Sequence, residues 1–75
     1  VANGNTNSVS DAGVSALMLH AACEGAGLNV RINLNALENT EFVSWKTQEL
    51  ESILRTSKMM LEETLEMVAE RMKKA

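Results

Sequence analysis

Apolar residues recur at three- and four-residue steps through most of this chain, and the pattern breaks at only two places. From about Asp11 to Asn35, the positions Val14, Leu17, Ala21, Glu24, Leu28 and Arg31 follow each other at helical intervals with few breaking signals. Apolar side chains also point in almost every other direction: Met18, Ala22, Ala26, Val30 and Ile32 leave a narrow polar strip of His20, Glu24, Gly27, Arg31 and Asn35. A helix that is apolar on most sides needs protein around it. The segment 11–36 is therefore expected to be the central helix of a bundle.

The second break-free stretch runs from 40 to 73. Leu50, Ile53, Leu54, Leu61, Leu65, Val68 and Met72 trace one apolar stripe, with Glu51/Arg55 and Glu70/Lys74 set as i,i+4 pairs on the wet side. Asn39 or Thr40 can cap its start, Glu41 suits the positive end of its dipole, and Lys73 and Lys74 suit the negative end. Two helices of about 37 and 50 Å joined by a short turn should lie antiparallel. The expected fold is all-α: an antiparallel two-helix hairpin with an N-terminal loop, part of a larger helical bundle or homodimer.

Residues 1–10 are predicted to be that loop. Asn3, Asn5 and Asn7 alternate around Gly4 in a composition that favours turns, and Ser8 or Ser10 can cap the helix, with Asp11 in its first turn. Gly25 and Gly27 interrupt the first helix, each at about 1 kcal/mol relative to Ala. A close neighbour, helix or ligand, should offset that; no strand-and-loop context supports a phosphate cradle.

Composition narrows the range of functions. With 75 residues, one Trp, one Phe, no Tyr and five Met, any core is aliphatic and small, and a chain of this size leaves much apolar surface in water. The net charge of −3 offers no basic face for nucleic acid. No window reaches the roughly 20 apolar residues of a membrane span. The single Cys23, within Ala21-Ala22-Cys23, reads as a small buried thiol of a reduced, cytoplasmic protein. The opening Val1-Ala2-Asn3-Gly4-Asn5 lacks the features of a signal peptide and reads as the start of a fragment or processed chain.

The run Gly4-Asn5-Thr6-Asn7-Ser8-Val9-Ser10-Asp11-Ala12-Gly13, followed by Glu24-Gly25-Ala26-Gly27-Leu28-Asn29-Val30-Arg31-Ile32-Asn33-Leu34, resembles the formiminotetrahydrofolate cyclodeaminase and methenyltetrahydrofolate cyclohydrolase family in order and spacing. The resemblance is specific over residues 3–45 and extends to the final helix in character. It implies an all-helical, intertwined homodimer acting on a tetrahydrofolate derivative, with no tightly bound cofactor. Members of that family carry a longer amino-terminal part with a glycine-rich segment absent from these 75 residues. The expectation is thus a C-terminal part that shares a site with other helices or a second subunit and is inactive alone.

Both reactions of that family pass through an amidine-type carbon between two folate nitrogens, so a group that moves protons and stabilises a cation is required. Asp11, at the junction between loop and helix, is the candidate catalytic carboxylate; its alternative role is to cap the first turn. Asn5, Asn7 and Ser10 beside it, and Asn29 and Asn33 one turn apart among apolar neighbours, are candidate substrate-binding residues. For the two later amides the alternative is a hydrogen-bond ladder between helices. His20 and Glu24 form an i,i+4 pair, but the chain has no second His and no metal site is expected. Arg31 can pair with Glu24, meet solvent or hold an anionic folate tail, and Phe42 and Trp45 are expected packing anchors. Nothing orients Ser10 and His20 as a triad. The competing reading of the whole chain is a non-catalytic helical oligomerisation or interaction module.

Overall fold

The computed structural model describes residues 6–74, with side chains for 7–73. It contains two helices, α1 (Thr6–Asn35) and α2 (Thr40–Lys74), which pack against each other as an antiparallel hairpin of 54 × 15 × 14 Å. Cross-helix contacts run in opposite directions: Gly13 meets Leu65 and Val68, His20 meets Ser57, and Gly27 meets Leu50 and Leu54.

α1 begins five residues earlier than the pattern predicted. Thr6–Ser10 is helical rather than loop, so Ser8 and Ser10 lie inside the helix, and Asp11 lies beyond its first turn. The reason is Val9, which is 3% exposed and lines a pocket with Thr64, Met67, Val68 and Arg71 of α2. Burying a branched aliphatic side chain contributes about 1.5–3 kcal/mol, enough to outweigh the weak helix propensity of Thr6, Asn7 and Ser8. Asn5 and the rest of the predicted loop through residue 5 lie outside the described residues.

The turn follows the sequence more closely. Ala36 and Leu37 donate to the carbonyls of Asn33 and Leu34, at 3.2 and 3.0 Å, tightening the end of α1 to i+3 spacing. Asn39 then caps α2: its Oδ1 accepts from the Phe42 amide at 3.0 Å, and its carbonyl accepts from Val43 at 3.0 Å.

The face of α1 that meets α2 takes in two members of its narrow polar strip, His20 and Gly27. Val9, Gly13, Gly27 and Leu34 are buried there, with Ala16 and His20 half-buried between them. Val14, Leu17 and Leu28 are exposed. Small residues decide this. A Cβ at Gly27 would lie 3.3 Å from Leu54 Cδ1 and 3.5 Å from Leu50 Cδ1, while one at Gly13 would lie 3.5 Å from Val68, so α2 seats its bulk over both glycines. The compensation expected for a helical glycine is found at Gly27; at Gly25 nothing lies within 4 Å. On α2 the stripe holds for Leu50, Leu54, Leu61, Leu65 and Val68, which are half-buried, but Ile53 and Met72 are exposed.

One partner helix covers only one side of α1. Met18 is 67% and Ile32 65% exposed, and the chain presents 5830 Å² to solvent. A compact monomer of 8.2 kDa would present about 4500 Å². This hairpin leaves the remaining sides of α1 open to solvent. Among the described residues no helix is long and apolar enough to cross a membrane.

Candidate functional site

The residues singled out for chemistry divide between two sides of α1. Asn7, Ser10, Asp11, Asn29 and Asn33 are all exposed. At about 100° of rotation per residue, Asp11, Asn29 and Asn33 project in nearly the same direction, with Asn7 close to that line and Ser10 well to one side. They face away from Gly13, Gly27 and α2. Along the axis they are far apart: Asp11 stands about 27 Å from Asn29 and about 33 Å from Asn33 at 1.5 Å per residue. One copy of α1 thus aligns these groups without bringing the acid and the amides together. Asn29 and Asn33, one turn apart, do share a patch, but in this chain their amides meet solvent rather than an apolar enclosure.

The other side holds a polar cluster that sequence reasoning only half identified. His20 Nδ1 lies 2.8 Å from Ser57 Oγ across the helix interface, and its Nε2 lies 3.5 Å from Glu24 Oε1. His20 and Ser57 border an open, mainly apolar groove of about 490 Å³, with Cys23, Thr56 and Thr64 also on its walls. The missing member was Ser57. Its signal was a hydroxyl at a seam position between Leu54 and Leu61, spaced as a core residue should be. The order hydroxyl, imidazole, carboxylate resembles a nucleophilic relay. It lacks an oxyanion donor, because the amides around Ser57 are consumed inside α2. The pair is better suited to a polar layer that fixes helix register between the two glycine contacts.

Several expectations are corrected on this side. Cys23 is exposed on the groove wall rather than buried. His20 and Glu24 do form the expected i,i+4 pair, and of the alternatives named for Arg31 it is solvent that the side chain meets, with no ion pair among the described residues. Glu51 and Arg55 do not pair either; Lys46 Nζ and Glu49 Oε2 do, at 3.3 Å. Phe42 and Trp45 do not anchor the hairpin. They pack edge-to-face on each other at 6.3 Å, with Lys46 Nζ 4.3 Å above the indole, and Trp45 is 60% exposed. Among the described residues no group of three or more His, Cys, Asp or Glu could hold a metal ion.

A long helix, apolar round most of its circumference and paired on one side only, with a line of polar groups on the other, defines the class: an all-helical hairpin. Comparison with known proteins agrees. Residues 1–52 match the family model described as Formiminotransferase-cyclodeaminase, and the chain belongs to that family. A methenyltetrahydrofolate cyclohydrolase from Methylorubrum extorquens is 37% identical over 65 residues, covering 87% of this chain and 31% of the relative. The chain thus spans about a third of that relative's length. No solved structure matches it. The hairpin is a segment related to folate one-carbon enzymes.

Proposed function

We infer that this chain is the C-terminal helical part of a cytoplasmic, homodimeric enzyme acting on a tetrahydrofolate derivative. It either hydrolyses methenyltetrahydrofolate or closes formiminotetrahydrofolate with loss of ammonia. The observation that carries the reading is that the family match includes Asp11, Asn29 and Asn33, which share one exposed face of α1.

In the hydrolysis water adds to the carbon between the two folate nitrogens and one of its ring C–N bonds breaks; in the cyclisation the second folate nitrogen adds to the formimino carbon and the C–N bond to the departing ammonia breaks. Asp11 is the proton-transfer group: as carboxylate it stabilises the delocalised cation and accepts a proton from the attacking water, and as acid it protonates the departing ammonia. Asn29 and Asn33 supply amide donors and acceptors for the pterin edge, and Asn5, Asn7 and Ser10 the polar surround of Asp11. No tightly bound cofactor enters this chemistry. Because Asp11 and Asn33 are about 33 Å apart in one helix, a single hairpin is expected to be inactive. That same separation favours the second reading, a purely structural interaction module.

The test follows loss of methenyltetrahydrofolate absorbance, and separately ammonia release from formiminotetrahydrofolate, in the intact protein. Asp11→Asn should lower the turnover number by about 100-fold or more, and Asn33→Ala should raise KM. Undiminished rates in both variants would remove these residues from the site.

A further inference from the structure

α1 contains Gly13, Gly25 and Gly27, and α2 is seated on the first and the last of them but not on Gly25. We propose that Gly25 is the floor on which the flat pterin ring of the folate substrate lies, with Asn29 and Asn33 reading its edge. The statement rests on the folate reading above; it adds which part of the substrate lies here and which residue admits it.

The argument starts from helix energetics. Only proline costs a helix interior more than glycine does. Gly13 and Gly27 offset that cost through the side chains of α2, whose nearest carbons would stand 3.5 and 3.3 Å from an added Cβ. An added Cβ at Gly25 would meet nothing within 4 Å, and the residue is exposed. Within the hairpin its cost is not offset. Bare backbone lets a flat group come closer than a Cβ would allow, so the contact that offsets Gly25 is made by something other than α2.

The surroundings give the chemistry of that group. Asn29 is one turn from Gly25 and projects within about 40° of it, and Asn33 stands a further turn along. Neither side-chain amide has a hydrogen-bond partner among the described residues. Met18, Leu28 and Ile32 stand round the bare backbone, all exposed. An apolar frame with a few directed polar groups is the make-up of a small-molecule site. A carboxamide offers a donor and an acceptor side by side, the complement of the adjoining ring N–H and C=O on the pyrimidinone edge of a pterin. A helix packed here would bury both amides and leave them unpaired unless it brought polar partners on two successive turns. The rest of the substrate fits less well. Its aminobenzoyl ring has no such edge, and its glutamate carboxylates call for a cation, whereas Arg31, the one arginine of α1, points about 120° away from Gly25.

The intact natural protein is assayed with methenyltetrahydrofolate and with formiminotetrahydrofolate, and the reaction it performs is inhibited with free pterin or with p-aminobenzoylglutamate. Gly25→Ala should raise KM and the inhibition constant of pterin by about 10-fold or more, the effect of one carbon in a close-fitting pocket. The turnover number and the inhibition constant of p-aminobenzoylglutamate should stay as in wild type. Alanine also improves helix propensity and meets no neighbour in the hairpin, so without folate the thermal midpoint should rise by about 2–4 °C. A midpoint that falls would show another helix seated on Gly25 and overturn the proposal. An unchanged pterin constant, or equal weakening of both inhibitors, in a protein that still turns over folate overturns it too and leaves the folate reading standing. A wild-type protein that turns over neither folate overturns that reading and this proposal with it.

Discussion

Replacing Gly27 with leucine tests the seam where the two helices come closest. A Cβ at this position already lies 3.3 Å from Leu54 Cδ1, 3.5 Å from Leu50 Cδ1 and 3.7 Å from Leu54 Cδ2. Three methyl groups therefore occupy the directions that the remaining carbons of a leucine side chain would need. Overpacking of this kind costs about 1–3 kcal/mol, against a helix-propensity gain of about 0.8–1 kcal/mol on replacing glycine. The net expectation is a loss of about 0–2 kcal/mol, near the upper value if α2 has to tilt away and expose Leu50 and Leu54. Gly13→Ala is the internal comparison. Its Cβ would sit at an ordinary 3.5 Å from Val68, so the propensity term survives and the variant should gain about 0.5–1 kcal/mol. Urea unfolding of the intact protein, followed by helical ellipticity, measures both. A Gly27→Leu protein more stable than wild type by the full propensity gain of about 0.8–1 kcal/mol would refute the argument that α2 is seated directly on this glycine.

The hydrogen bond between His20 and Ser57 should appear as a coupling. Ser57→Ala alone is expected to cost about 1 kcal/mol, while His20→Leu with Ser57→Ala should cost less than the sum of the single changes by about 1 kcal/mol; strict additivity in unfolding titrations would mean that the 2.8 Å contact contributes nothing. Asn39→Ala removes the acceptor for the Phe42 amide and should lower stability by about 0.5–2 kcal/mol, with Asn39→Asp retaining most of it; equal losses in the two would count against the cap. Trp45→Ala should leave hairpin stability within about 0.5 kcal/mol of wild type, since the indole is largely in solvent; a loss of several kcal/mol in the intact protein would show that something outside the hairpin packs on it.

What this chain's sequence determined by itself is local. The helical period, the break at residues 36–39, the Asn39 cap and the antiparallel return were legible because each depends on a few neighbouring residues. The family was legible too, since a motif is order and spacing. The side of α1 that would meet α2 was not. Its apolar residues surround the whole circumference, so no direction stood out by hydrophobicity, and the choice fell to Gly13 and Gly27, where the absence of a side chain lets Leu50, Leu54 and Val68 approach. The start of α1 depended on Val9 finding a place on a helix more than fifty residues away in sequence, and Ser57 gained its partner only when that helix turned back toward His20. Such contacts join residues that the chain keeps far apart, and only the tertiary structure decides them.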